Sequence, residues 1–277
     1  MKIRYPLIGD VLVSLPYAPS GGICAGDDLT TTALVTHLKE YIRKNNVRSL
    51  DVRSTDPLSG AGTADTSYHS MVLPLQENPD LQWSRLRKSM RRYVKKAQSS
   101  GTQSHLDIRN TRNFYGIYSR TMREFGTPAH SSRFFTALVR EFPKNTRIAE
   151  ITWKEECIAA IFLLEFNGTV IYGWGGSDDR YSHLFPNYSL FWDVIRDSCS
   201  RQLGSFDFGR SMTGEGTYLF KTGWGAEPRQ LYYYSYPKKS VNTKKTSPKR
   251  KLFAAIWSHI PQSVTRGLGP VLRTYLP

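Results

Sequence analysis

Acidic side chains are in short supply in this chain. Its 277 residues carry 23 Asp and Glu against 38 Lys and Arg, a net charge of +15, and no acidic residue follows Glu227. Such an imbalance implies an anionic partner: nucleotide, nucleic acid or acidic membrane surface. Cysteine is scarce as well. Cys24, Cys157 and Cys199 stand far apart without a CxxC pair, and the six histidines are scattered. That pattern excludes a disulfide framework and a zinc site, and suits a reducing compartment. No stretch approaches the roughly 18–20 apolar residues of a transmembrane helix. The opening KIRYPLIGDVLVSLPY is interrupted by Pro6, Gly9 and Asp10, so it lacks the core of a signal peptide. The expected location is the cytoplasm, at most peripheral on the inner face of the membrane. A DNA-binding regulator would rest on charge alone, for zinc spacing, basic zipper and helix-turn-helix patterns are all missing.

Aromatic residues, by contrast, are plentiful at 13%, which argues for a folded chain. Strands are expected at Val11–Tyr17, Ser49–Ser54 and Ser67–Leu75, with a helix from Asp27 or Asp28 to about Asn45. One long helix is expected from Leu81 to Ala97, with Leu86, Met90, Val94 and Ala97 on one stripe and Gly101 closing it. A strand at Leu106–Arg109 and helices at Arg112–Phe125 and Ser131–Phe142 follow. Next come strands Arg147–Trp153, Cys157–Phe166 and Thr169–Gly175, the last two joined by the Asn167-Gly168 hairpin turn. A helix from Asn187 to Gln202 leads to strand Ser205–Phe208, and Gln230–Tyr236 is a final strand. The order strand, loop, helix, strand occurs twice, at residues 11–53 and again at 170–210, as two βαβ units would give.

The segment Ser205–Gly225, SFDFGRSMTGEGTYLFKTGWG, carries the most chemistry. Arg210 and Lys221 stand eleven residues apart among glycines and aromatics, a pattern suited to an anionic or carbonyl-bearing ligand. Arg210 follows Gly209 at a strand end, where its guanidinium can fork onto phosphate or carboxylate, or pair with Asp207 as a structural latch. Asp207 alternates with Phe206 and Phe208 and so faces away from them.

Four ordered motifs carry a resemblance to a known family. They are LVSLPY at Leu12–Tyr17, the W-x-x-L-R-K-x-x-R-x-x-x-K-K-A-x-x-x-G run at Trp83–Gly101, TMREFGTP at Thr121–Pro128, and FDFGRS…FK-x-x-W-G at Phe206–Gly225. Over residues 7–236 the chain resembles the Fem-type transferases (FemA, FemB, FemX and FemAB-related proteins) of the GNAT acyltransferase superfamily. The resemblance implies an α/β (α+β) fold of tandem GNAT-like units, mixed twisted sheets flanked by helices, with the first unit incomplete. The corresponding division is a partial unit at 1–78, a basic connecting helix at 79–102, a second unit at 103–236, and a basic linker and apolar-basic tail at 237–277.

It also implies transfer of an acyl or aminoacyl group to an amine, in peptidoglycan, exopolysaccharide or other cell-envelope metabolism. Lys221 matches the lysine of the family's F-K-x-G-[FW]-G motif and is expected to stabilise charge, with Arg210 and Asp207 as its catalytic neighbours. Tyr172, Trp174, Ser177, Asn187, Ser211 and Trp224 are the expected substrate-binding residues. Gly173, Gly175 and Gly176 suggest a bulge or close approach of a ligand. The start of the Asn187 helix could cradle a phosphate, yet no [QR]-x-x-G-x-[GA] pyrophosphate loop precedes it. That absence weakens coenzyme A as donor and fits the Fem-type pattern, in which aminoacyl-tRNA can serve; the resemblance implies acyl-CoA or aminoacyl-tRNA as donor co-substrate, with no permanently bound cofactor or metal. Arg85, Lys88, Arg92 and Lys95 belong to a run of seven cations without an acid, either an anion- or tRNA-contacting face or a solvated one.

After residue 237, Phe253, Ile256, Trp257, Leu268, Leu272 and Tyr275 are interspersed with Arg266 and Arg273. Residues 238–277 suit an anionic membrane surface, or an arm docked on the protein itself. The alternative to an enzyme is a catalytically impaired basic module that binds tRNA or anionic membrane.

Overall fold

The computed structural model describes residues 1–5, 9–237 and 248–276. Strands β1 (Lys2–Tyr5) and β2 (Gly9–Val13) pair antiparallel, and α1 (Asp28–Lys44) crosses to β3 (Ser49–Ser54). Asp27 caps α1 by accepting from the Thr30 N–H, and Val35 and Ile42 bury its apolar stripe. After β4 (Tyr68–Pro74) come two helices, α2 (Pro79–Arg85) and α3 (Lys88–Gln98), and not one long one. Leu86 and Arg87 between them are extended, with ψ of 140° and 144°. The break lets Trp83 pack against Trp192, with ring centres 4.7 Å apart and planes tilted by 58°, while Leu86, Met90 and Val94 enter the core beneath.

Then follow β5 (Gln103–Ile108), α4 (Arg112–Glu124), α5 (Ser132–Glu141), β6 (Thr146–Trp153), β7 (Glu156–Phe166) and β8 (Thr169–Ser177). Asn167 and Gly168, both at positive φ, make the expected β7–β8 turn. A 3₁₀ turn leads to α6 (Pro186–Ser200), β9 (Ser205–Met212), α7 (Gly216–Gly223), β10 (Glu227–Gln230) and β11 (Tyr232–Tyr236). Helices α8 (Pro248–His259) and α9 (Gln262–Arg273) close the described chain. Pro270 and two glycines lie inside α9, where the sequence pattern favours breaks. Gly269 allows the close approach of α9, since a Cβ there would stand 3.2 Å from the Ala129 nitrogen.

The strands form two mixed sheets flanked by helices, ordered β1-β2-β3-β11 and β10-β4-β9-β8-β7-β6-β5. Each contains one parallel pair spanned by a helix, β2–β3 by α1 and β8–β9 by α6, which are the two βαβ units visible in the sequence. Residue boundaries at 78 and 236 do not separate the sheets. Strand β4, from the expected first unit, pairs with β9 and β10 in the large sheet, and β11, from the expected second, pairs with β3 in the small one. The chain exchanges a strand in each direction. The large sheet is buried on both faces, by α2, α3 and α6 on one side and α4 and α5 on the other. This explains the unbroken apolar run of β7.

Candidate active site

Parallel strands β8 and β9 pair over only three residues, Thr169↔Ser205, Val170↔Phe206 and Ile171↔Asp207. Beyond that point β8 stays on β7 as far as Ser177, and β9 stays on β4 as far as Met212. The two strands therefore diverge into a wedge whose inner edges have no strand partner among the described residues. Two register shifts mark its apex. One lies in the β7–β8 ladder where Phe162 pairs with Trp174 but Leu163 with Tyr172, leaving Gly173 as the extra residue. The other lies in the β4–β9 ladder between Ser70 and Val72, where Gly209 takes φ of +74°. A Cβ on Gly209 would stand 3.5 Å from the Tyr172 carbonyl oxygen, so the two bulges face each other. Bulges bend and re-aim the strands that carry them, and the wedge opens beyond this point.

Asp207 holds the β9 bulge. Its carboxylate accepts from the Gly209 N–H at 2.7 Å and from the buried Ser70 hydroxyl at 2.7 Å. The expected Asp207–Arg210 latch does not form. The Arg210 guanidinium instead lies 4.5 Å from the Tyr68 ring centre and donates to the Tyr233 hydroxyl at 3.4 Å. It has no carboxylate partner among the described residues. Arg53 lies over the same Tyr233 ring, and Arg273 from α9 lies over Tyr17. Burial first, and the Arg210 charge among their neighbours, lower the pKa of both.

Lys221, from the buried side of the short helix α7, extends its ammonium under the bulge. It donates to the Gly209 and Arg210 carbonyls at 3.0 Å each, and the residue is only 8% exposed. Burial lowers its pKa to about 8, with Asp207 opposing and Arg210 adding to that shift. The lysine is thus a fixed cation beside the wedge at neutral pH. Lys221, Asp207 and Arg210 are brought together.

The expected substrate-binding residues divide. Tyr172 faces α6, edge-on to Phe191 at 5.2 Å, and burial pushes its hydroxyl up to about 12. Trp174 faces the opposite side, against His130, Phe134 and Phe135. Two residues apart on a regular strand they would share a face, and the extra residue at Gly173 separates them. Gly175 and Gly176 answer to packing and not to a ligand, since a Cβ on either would collide with Ile161 or Thr121.

Ser177, at the wide end, accepts from the Asn187 amide at 2.9 Å, which ties the wedge to the first turn of α6. No side chain caps that helix start, where Phe185 takes a left-handed conformation. Ser211 is buried, with its hydroxyl toward Thr217 at 3.4 Å. Trp224 is a core residue, 1% exposed and packed with Phe208 and Phe220.

Lys88, Arg92 and Lys95 line an open groove of about 730 Å³ with Trp83, Ser89 and Arg91. Arg85 lies before the helix break, outside that lining. The sequence reading missed Ser70, Tyr68, Tyr233, Arg53 and Arg273. The aromatic–basic run of β11 and the arginine of SLDVRS are faint signals for two of them. Arg273 has none, because its place depends on the docking of α9.

Comparison with known proteins identifies the family and the fold. Residues 84–222, half of the chain, match the family described as acetyltransferase (GNAT) domain. The protein belongs to the GNAT acetyltransferase-domain family. Its fold is shared with FemX, at a TM-score of 0.61 and 11% identity over 84% of this chain and 83% of that one. It is shared also with the C-terminal domain of a putative lysylphosphatidylglycerol synthetase from Agrobacterium fabrum (0.58, 10%, 76% and 74%). A third relative in fold is L-PGS from Bacillus licheniformis (0.56, 11%, 94% and 82%). No curated protein matches the chain significantly by sequence.

Proposed function

We propose that the protein transfers an acyl or aminoacyl group to the amine of an anionic cell-envelope precursor, with the β8–β9 wedge receiving the donor. The facing bulges at Gly173 and Gly209, beside a buried lysine, are the observation that carries this reading. In the reaction the acceptor nitrogen attacks the donor carbonyl, a C–N bond forms, and the carbonyl oxygen becomes an oxyanion. The C–S bond of a thioester, or the C–O bond of an aminoacyl ester, then breaks, and the amine proton leaves with the released group or to water. Backbone N–H groups on the wedge edges and the Lys221 ammonium are the groups suited to the oxyanion. A fixed donor of that kind contributes about 3 kcal/mol. Asp207 acts as a positioning residue through the bulge. Arg210, with Arg53 and Arg273 nearby, suits a phosphate or carboxylate of the acceptor.

The groove lined by Lys88, Arg92 and Lys95 supports a polyanionic donor, and aminoacyl-tRNA is the donor we favour over acyl-CoA. The likeness in fold to proteins named lysylphosphatidylglycerol synthetase supports an amino-acid donor and an envelope-side acceptor, with the protein on the inner face of the membrane.

Labelled acyl-CoAs and charged tRNAs offered with envelope-precursor amines provide the test. Lys221→Met is expected to lower kcat by about a hundredfold, with KM and folding nearly unchanged. Equal turnover in the variant would remove the lysine from the mechanism. Salt-sensitive tRNA binding without any transfer by the wild type would favour the impaired binding module instead.

A further inference from the structure

The polar and apolar sides of α9 are reversed relative to an ordinary docked helix. Its inward side is polar: Gln262 and Arg266 reach the Ser119 hydroxyl at 3.4 and 3.0 Å, and Arg273 reaches the His130 imidazole at 3.3 Å. Thr265 and Gly269 are buried there too. Its outward side is apolar, with Val264 44%, Leu268 54% and Val271 60% exposed. Helix α8 repeats the theme less completely. Trp257 is buried, while Leu252, Phe253 and Ile256 are exposed beside the exposed Lys251. Both helices pack on α4, so their apolar sides face away from the same support. Exposed Phe125 adjoins them, because Gly126 abuts Ala254.

Exposed apolar sides on two helices that share one support mark an interaction site. We infer that the outer face of the α8–α9 pair docks on an anionic lipid bilayer. Charge chooses the occupant. Lys251 is exposed beside the apolar side of α8, and six further Lys and Arg with no acid precede it in the sequence between residues 238 and 250, which suits anionic headgroups around a shallow apolar insertion. A second copy would set this basic segment against another like it. At twelve residues each, α8 and α9 are too short to span a bilayer and lie in its plane. This docking does not depend on the transfer reading, and its test needs no turnover.

The measurement is co-sedimentation of the whole protein with mixed phosphatidylcholine–phosphatidylglycerol vesicles and with phosphatidylcholine vesicles alone. The wild type is expected to sediment with the mixed vesicles, to release with salt, and to leave pure phosphatidylcholine largely unbound. The pair Ile256→Asp and Leu268→Asp, at exposed positions, is expected to weaken binding about tenfold with an unchanged melting temperature. Leu268→Gln with Val271→Gln provides a second variant in case the first fails to fold. Absence of wild-type binding, or equal binding by a folded variant, would overturn the inference. So would a wild-type dimer that the variant dissolves while neither form binds vesicles, since a second copy would then cover the face.

Discussion

At the scale of single residues, Lys221 makes opposite demands on stability and activity. Burial holds its pKa near 8 in the folded protein, against 10.5 as its ordinary value. Between those two values the unfolded chain keeps the proton and the folded one releases it, so stability rises with pH across that window. Below about 8 both states are charged and this contribution is constant. Turnover runs the other way, because the cation is the form that stabilises an oxyanion. The rate is expected to fall as pH passes about 8. In Lys221→Arg a lower rate should persist without that alkaline fall, since guanidinium does not titrate there. The same limb in both proteins would assign the titration to another group.

Trp224 gives a second residue-scale test, because its indole nitrogen is buried without a hydrogen-bond partner among the described residues. Trp224→Phe is expected to stay within about 1.5 kcal/mol of the wild type in denaturant unfolding, with KM unchanged. Trp224→Ala should cost about 3–5 kcal/mol. A raised KM at full stability would return the indole to the substrate. That Lys221 stands beside Gly209 and Arg210 was legible in the sequence, because their spacing belongs to one local segment. Trp174 and Trp224 were not, since aromatic spacing reports neither a bulge at Gly173 nor which side of a sheet fills the core.

Among the elements, those with strong periodicity or a defined turn appear where the pattern puts them, as α1, α4, β3 and the β7–β8 hairpin show. The departures have tertiary causes. A continuous stripe from Leu86 to Ala97 reads as one helix, yet Trp83 and Met90 reach the core only if the chain turns at Leu86–Arg87. Helix α7 escaped notice because its glycine-bounded eight residues are short. Strand β6 is pinned by a charged cluster: Arg147, 8% exposed, pairs with Asp107, with Glu165 at 2.9 Å and with Asp197 at 2.7 Å. Burial alone would raise the Glu165 pKa, but hydrogen bonds from Arg201 and Arg147 bring it below its ordinary value. Its contribution to stability is therefore full above 4.5 and is lost as pH falls further. Arg147→Met is expected to cost about 3–5 kcal/mol at neutral pH. Its acid limb should be shallower than that of the wild type in urea melts. An equally steep limb would place the titration elsewhere.

For the whole molecule, sequence order suggested two consecutive units, and the described residues form two sheets. That β4 and β11 trade places between them could not be read locally, because strand partners are chosen by packing across more than a hundred residues. The exchange brings β4, with Tyr68 and Ser70, to the flank of β9, and Tyr233 of β11 reaches the same arginine. The site thus draws on both sheets and on the tail. Hydrogen–deuterium exchange with and without donor, using acyl-CoA and aminoacyl-tRNA in turn, tests the wedge most directly. The expected result is that one donor slows exchange at residues 172–176 and 208–211, on the two facing strand edges. Protection confined to the groove of α3, or to neither place in a preparation that still transfers the group, would contradict it.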